Sequence, residues 1–153
     1  MSTICSDAGF LIGVYDERDE RHEEAVTDFV RLFGSGANRL LIPWPILYET
    51  VSTRMARNIK GLGRMERDWK RLQALSQIQL IPDHAFREGV LEECFEELNR
   101  PRRQYRSLSA TDRVVRRMLS DVNLRIQAFV TYNPRDFADV CHRFGRQIYP
   151  RAQ

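Results

Sequence analysis

Thr3-Ile4-Cys5-Ser6-Asp7-Ala8-Gly9-Phe10-Leu11 decides the fold. A short apolar run is closed by an acid, and a helical turn through Phe10 and Leu11 follows. Read this way, residues 3–6 form a strand and Asp7 marks its passage into a helix. Outward from this stretch the pattern repeats. Ala25, Val26, Phe29, Val30 and Phe33 recur at helical spacing, and Gly34 and Gly36 end that helix. A brief strand over 40–42 comes next. Pro43 and Pro45 then open a helix, where proline is tolerated in the first turn. That helix carries Glu49 and is predicted to run to about Asn58.

Gly61 and Gly63 read as a break before a basic helix holding Trp69, Leu72 and Leu75. A strand over 78–81 is stopped by Pro82. Phe86, Val90, Leu91, Cys94, Phe95 and Leu98 mark the apolar face of an amphipathic helix. Ser109 caps another helix, whose apolar face is Val114, Val115, Met118, Leu119 and Val122. A strand over 128–131, a short helix from Asn133-Pro134 and an edge strand over 147–149 complete the chain. Strands that alternate with helices predict an α/β fold with a mostly parallel sheet.

Composition narrows the class. A chain of 153 residues is expected to form a single domain, residues 1–153, with a core that needs no staples. Its 42% hydrophobic and 29% charged content is that of an ordinary globular protein. No apolar run approaches the roughly 20 residues of a membrane span. The N-terminus lacks signal-peptide flanks, so a cytoplasmic home is expected. Cys5, Cys94 and Cys141 are too far apart for zinc spacing and read as buried thiols. The net charge is +3 with a pI near 9.0, a weak pointer to nucleic acid. Of 24 basic residues only Lys60 and Lys70 are lysines. Arginine suits phosphate because its planar fork bonds two oxygens; a coding bias toward arginine would leave the same trace.

Four acids stand where a strand passes into a helix or where a helix begins: Asp7, Glu49, Asp112 and Asp136. In open α/β sheets such points converge at the carboxyl end of the strands, where ligands bind. Each acid has a plain local use. Asp7 can cap the helix behind it, Ser109-x-x-Asp112 resembles a capping box, and Asp136 follows Asn133-Pro134 in a first turn. Glu49 can be an exposed helix residue, although its setting among Ile46, Leu47, Tyr48 and Val51 predicts a carboxylate that needs a partner. Several carboxylates that converge cannot all stay ionised without a cation among them. A hard divalent ion such as Mg²⁺ takes oxygen ligands and answers that need.

The ordered motifs resemble the PIN-domain family, most closely its VapC-like ribonuclease toxins. Ser6-Asp7-Ala8-Gly9-Phe10-Leu11-Ile12 is similar to the family's opening strand and acid. Residues 19–26, Asp-Glu-Arg-His-Glu-Glu-Ala-Val, are similar to its first long helix. Leu41-Ile42-Pro43-Trp44-Pro45-Ile46-Leu47-Tyr48-Glu49-Thr50 resembles its second strand and Glu-bearing helix. Leu108-Ser109-Ala110-Thr111-Asp112-Arg113 resembles the start of the helix with the third acid. Residues 128–137 are similar to the closing strand and turn. Each motif alone is weak, but the ordered set spans nearly the whole chain.

The resemblance implies a three-layer α/β/α PIN-like domain, with a short, mostly parallel sheet flanked by helices. It implies hydrolysis of RNA phosphodiesters with Mg²⁺ or Mn²⁺. Asp7 and Asp112 are then direct ligands, and Glu49 a direct or water-mediated one. Asp136 or Asn133 would orient water or complete the site. Thr131 and Thr111 are candidate hydroxyl partners of the acids, with local strand and cap bonding as their simpler uses. A small antitoxin that lays a helix across a groove and a homodimer are the implied protein partners, with no membrane. Two departures stand out. Asn133 occupies a position where the family often has an acid, and Arg113, Arg116 and Arg117 stand where it commonly has a small apolar helix. In the basic loop, Arg100, Arg102, Arg103 and Arg106 surround Tyr105. With Arg113 and Arg117 they can guide an RNA backbone while Tyr105 stacks a base; a solvated charged surface is the plainer reading. His22, His84 and His142 are scattered, so a histidine general base is not expected.

Overall fold

The computed structural model describes residues 1–100 and 107–151. Five parallel strands form one sheet: β1 (Ser2–Ser6), β2 (Asn38–Pro43), β3 (Ile78–Ile81), β4 (Ala128–Val130) and β5 (Gln147–Tyr149), in the order β3-β2-β1-β4-β5. The predicted α/β class is therefore observed. The chain works outward from β1 to β2 and β3, then returns to the other side of β1 for β4 and β5. Connections between parallel strands are right-handed, so this reversal puts helices on both faces of the sheet. Helix α1 (Ala8–Tyr15) packs on α2 (His22–Phe33), α3 (Trp44–Thr50) and, beyond α4 (Thr53–Ala56), on α5 (Ile59–Ala74). Helix α7 (Ala110–Ser120) packs on α6 (Val90–Glu96) and α8 (Ala138–Arg143).

Covered on both faces, the central strands carry continuous apolar runs. Ile4, Cys5, Leu40, Leu41, Ile42, Phe129 and Val130 are all buried. Helix α1 is apolar nearly all round and lies inside, with Phe10, Leu11, Val14 and Tyr15 in the core. Cys5 and Cys141 are buried thiols as expected, and Cys94 is half-buried.

Four expectations are corrected. The helix that carries Glu49 stops at Thr50, not near Asn58. The run Thr50-Val51-Ser52-Thr53 is poor in helix formers, Val51 leaves helical geometry, and α4 is a separate turn. Gly61 and Gly63 do not break the chain; both lie inside α5. Asn58 caps that helix by accepting from the Gly61 N–H at 2.9 Å. A Cβ on Gly61 would clash with the Tyr15 carbonyl oxygen, so glycine here permits α5 to close on the end of α1.

The apolar face predicted around Val90 to Leu98 points the wrong way. Val90 is buried, but Leu91, Phe95 and Leu98 are exposed. The inward side of this segment carries Glu93 and Glu97 instead, which engage Arg113 and Arg117 of α7. Four charges paired between this segment and α7 displaced the expected apolar seam. The heavily charged stretch 16–24, whose composition predicts a solvated loop and helix start, is also not wholly solvated. Asp16 is 2% exposed and held by Arg18 and Arg54.

Candidate active site at the sheet's switch point

Strand order reverses between β1 and β4, and open α/β sheets bind ligands at the carboxyl ends of the strands flanking such a point. Asp7 directly follows β1 and Thr131 directly follows β4. The two meet: the Thr131 hydroxyl donates to Asp7 Oδ2 at 2.9 Å. Asp7 also caps α1, accepting from the Ala8 N–H at 2.8 Å. Thr131 is 1% exposed, and its hydroxyl oxygen accepts from the Asn133 N–H at 2.9 Å. The Asn133 amide in turn donates to Asp136 Oδ2 at 2.6 Å. A continuous hydrogen-bonded path thus links Asp7, Thr131, Asn133 and Asp136.

Asp112 sits in the first turn of α7. Ser109 caps that helix through the Asp112 N–H, at 3.0 Å. Arg116, one turn further along, ties α7 to the Asp136 segment. Its Nη1 donates to the Asp136 carbonyl at 2.6 Å, and both its terminal nitrogens reach the Asp139 carboxylate at 2.7 Å. A guanidinium set this way fixes two acid-bearing segments against each other. This tie was not foreseen from the sequence, where Arg116 registered only as a departure from an apolar helix.

Electrostatics join these residues into one site. Burial raises the Asp7 carboxyl from 3.8 to about 6, and Asp112 and Glu49 add to the rise, against the bonds from Thr131 and Ala8. Burial also raises Asp112, and nearby Asp136 reinforces it, while Ser109 and Arg116 oppose. Glu49 is exposed, so its setting in an apolar stretch does not bury it and the plainer of its two readings holds. Helical spacing turns Ile46 and Thr50 inward and leaves Tyr48 and Glu49 outside. Thr111 makes no side-chain hydrogen bond to the acids among the described residues and instead lines a hollow with Pro45, Val90 and Val114.

The donor set suits a divalent cation in its chemistry. It consists of carboxylate oxygens, and the charges acting most on Asp7 share its sign. Asp7, Asp112, Glu49 and Asp136 are the residues that would hold such an ion. Among the described residues, no three His, Cys, Asp or Glu side chains are already closed into a group that could grip it.

The expected RNA contacts fare differently. Arg102, Arg103 and Tyr105 lie outside the described residues. Arg113 does not face solvent as its expected role requires. Its side chain is 10% exposed and pairs with Glu97 and Glu93. Arg117 likewise pairs with Glu93 and donates to the Phe86 carbonyl. Both arginines hold α6 to α7.

No family model and no curated protein matches this sequence. Among solved structures, the chain is similar to VapC20 of Mycobacterium tuberculosis, described as a toxin that cleaves the sarcin–ricin loop. The two are 19% identical, with a TM-score of 0.57, over 89% of this chain and 94% of that one. At this identity the likeness is one of fold, and the PIN-like three-layer architecture implied by the motifs is the one observed. No helix among the described residues is long and apolar enough to cross a membrane.

Proposed function

We propose that this protein is a divalent-cation-dependent endoribonuclease of the VapC-like kind, the toxin half of a toxin–antitoxin pair. The observation that carries the reading is Asp7. It stands at the switch point, its carboxyl raised to about 6 by burial and by the neighbouring carboxylates Asp112 and Glu49. The likeness of fold to a toxin that cleaves RNA supports it.

When bound, Mg²⁺ or Mn²⁺ supplies charge that acidifies water and offsets the phosphate's negative charge. Asp7 and Asp112 would be the direct ligands, with Glu49 joining directly or through water. Thr131 holds one Asp7 oxygen, so the carboxylate presents a fixed orientation. Asp136, steered by the Asn133 amide, accepts a hydrogen bond from the attacking water and aligns it. Arg116 keeps the Asp136 turn against α7. A small antitoxin would regulate the enzyme, and a homodimer is the expected assembly.

The test is cleavage of a labelled structured RNA in Mn²⁺ or Mg²⁺, with EDTA and Asp7→Asn as controls. Cleavage lost in both controls supports the reading. A second reading, a PIN-like module that grips RNA or protein without catalysis, is favoured by Asn133 and by acids that are not closed into an ion-binding group. A folded protein without cleavage and without Mn²⁺ binding by calorimetry would select it.

A further inference from the structure

We infer that one face of α5, extended by Arg57, is a track for the phosphate backbone of RNA. The inference rests on RNA as the substrate of the proposed nuclease. Lys60, Arg64, Arg67 and Arg71 recur at spacings of four, three and four, so they share one face of α5. They extend over ~17 Å, about one cation per helical turn. The opposite side of α5 is anchored: Gly61, Met65 and Leu72 are buried, and Trp69 packs on the core. The face is therefore a rigid ridge. Arg57 continues it beyond the Asn58 cap, sharing a shallow hollow with Lys60 and Arg18.

The acids nearby are already engaged. Asp68 accepts from the Tyr15 hydroxyl at 2.9 Å. Glu66 pairs with Lys70 at 3.3 Å, and Glu17 with Arg64 at 2.9 Å. Asp16 is held by Arg18 and Arg54. Arg57, Lys60, Arg67 and Arg71 are exposed and have no ion pair among the described residues. Helix α7 shows the contrast, since Arg113, Arg116 and Arg117 are all paired to carboxylates.

A single bound anion would satisfy one or two of these cations. Four cations without an ion pair, with Arg64 paired to Glu17 among them, match a linear polyanion, whose released counterions would drive binding. Arginine forks suit phosphate oxygens. The row begins eight positions after Glu49, across the short α4 that packs on α5, and starts beside Asp16, at the end of α1 opposite Asp7. A strand whose scissile phosphate lies at the acids would be gripped by its flanking backbone.

The test uses the full chain and a fluorescein-labelled RNA hairpin. Binding is measured against salt in EDTA, in an Asp7→Asn background that cannot cleave. The pair Arg67→Gln/Arg71→Gln is compared with Arg125→Gln/Arg143→Gln, which removes equal charge from exposed positions elsewhere. The α5 pair should lower the slope of log affinity against log salt by about 1.4–1.8 and weaken binding about tenfold. In the cleaving protein it should raise KM with little change in kcat. The control pair should do neither. Equal losses in both pairs would overturn the track as mere net charge. Cleavage by the wild type with an unchanged KM and salt slope in the α5 pair would overturn it while leaving the nuclease intact. Failure of the wild type to bind or cleave RNA would remove the nuclease reading, and the track with it. An α5 pair that loses poly-glutamate binding but keeps RNA binding would overturn the track and assign the face to an acidic protein.

Discussion

Asp7 and Asp16 stand at opposite ends of α1, and the same carboxylate behaves oppositely at the two ends. At the N-terminus the helix dipole and the Ala8 N–H favour a negative charge. Yet the Asp7 carboxyl is pushed up to about 6, because it is buried beside Asp112 and Glu49. At the C-terminus the dipole opposes a negative charge. Burial alone would raise Asp16 too, but the Arg18 N–H, its guanidinium and Arg54 outweigh it and hold the carboxyl low. Asp16 is held by two largely exposed arginines, whereas Asp7 is set into the fold. The difference teaches that cation placement, more than helix position, decides the state of each acid. One end of α1 is neutralised to hold the fold, and the other is left hungry for positive charge.

The largest expected effect breaks the hungry end. Asp7→Asn should weaken Mn²⁺ binding on the order of 100-fold or more, since groups that merely support ligands are worth about 10–100-fold. Calorimetry reads this directly. The same change should stabilise the metal-free protein by up to about 3 kcal/mol at pH 7.5. A raised carboxyl retains its proton in the fold while the unfolded chain has lost it, so wild-type stability falls as pH rises from 3.8 to about 6. The variant's advantage should grow across that window and then level off in thermal melts. A destabilised variant at neutral pH would refute the electrostatic contrast.

At the neutralised end the sign reverses. Asp16→Asn should destabilise the fold by about 1.5–3 kcal/mol at pH 7, the usual worth of hydrogen bonds to a charged group. Because the folded carboxyl is lowered, that stability is present above the ordinary carboxylate range and is lost as pH falls through the folded value. Denaturation at pH 7 and near pH 3 should show the gap closing. A constant gap would mean that packing, not charge, holds this end.

Gly61→Ala probes how tightly the same end is clamped. In an exposed helix this change gains about 1 kcal/mol. Here the new methyl would meet the Tyr15 carbonyl, so a loss of about 1–3 kcal/mol is expected in urea titrations. A gain would show that α5 can retreat from α1 freely. The smallest effect sharpens the site end. Arg116→Gln should weaken Mn²⁺ binding about tenfold by freeing the Asp136 turn, with Arg116→Lys intermediate. Unchanged affinity in both would make the bridge a purely structural staple.

Much of the fold was legible because local rules agreed with the global one. Apolar runs bounded by turn residues marked all five strands, and Ser109 and Asn133 announced their helical turns. The errors had physical causes. Gly61 was read as a breaker because glycine lacks a helix preference, but its use is the absence of a Cβ against Tyr15. Leu91, Phe95 and Leu98 followed helical periodicity, but periodicity does not say which face a neighbour will cover. Glu93 and Glu97 turned inward only because Arg113 and Arg117 lay opposite on α7. The site was legible as residue types at strand ends, and Thr131 was a candidate hydroxyl partner of the acids, although local strand bonding was the reading its position favoured. Arg116 was not read as a tie, since its partner segment lies about twenty residues away.

By itself the sequence determined the strand–helix alternation, the parallel sheet and the acids that follow its strands. These are consequences of hydrophobic period, turn chemistry and the position of polar residues along the chain. Only the tertiary structure decided which charges are neutralised. It paired Asp16 with Arg54 and Arg113 with Glu97, and left Asp7 beside like charges. Hydrophobic patterning is local and repeats along the chain, whereas a charge is settled by what stands a few ångströms away, whatever its distance in sequence.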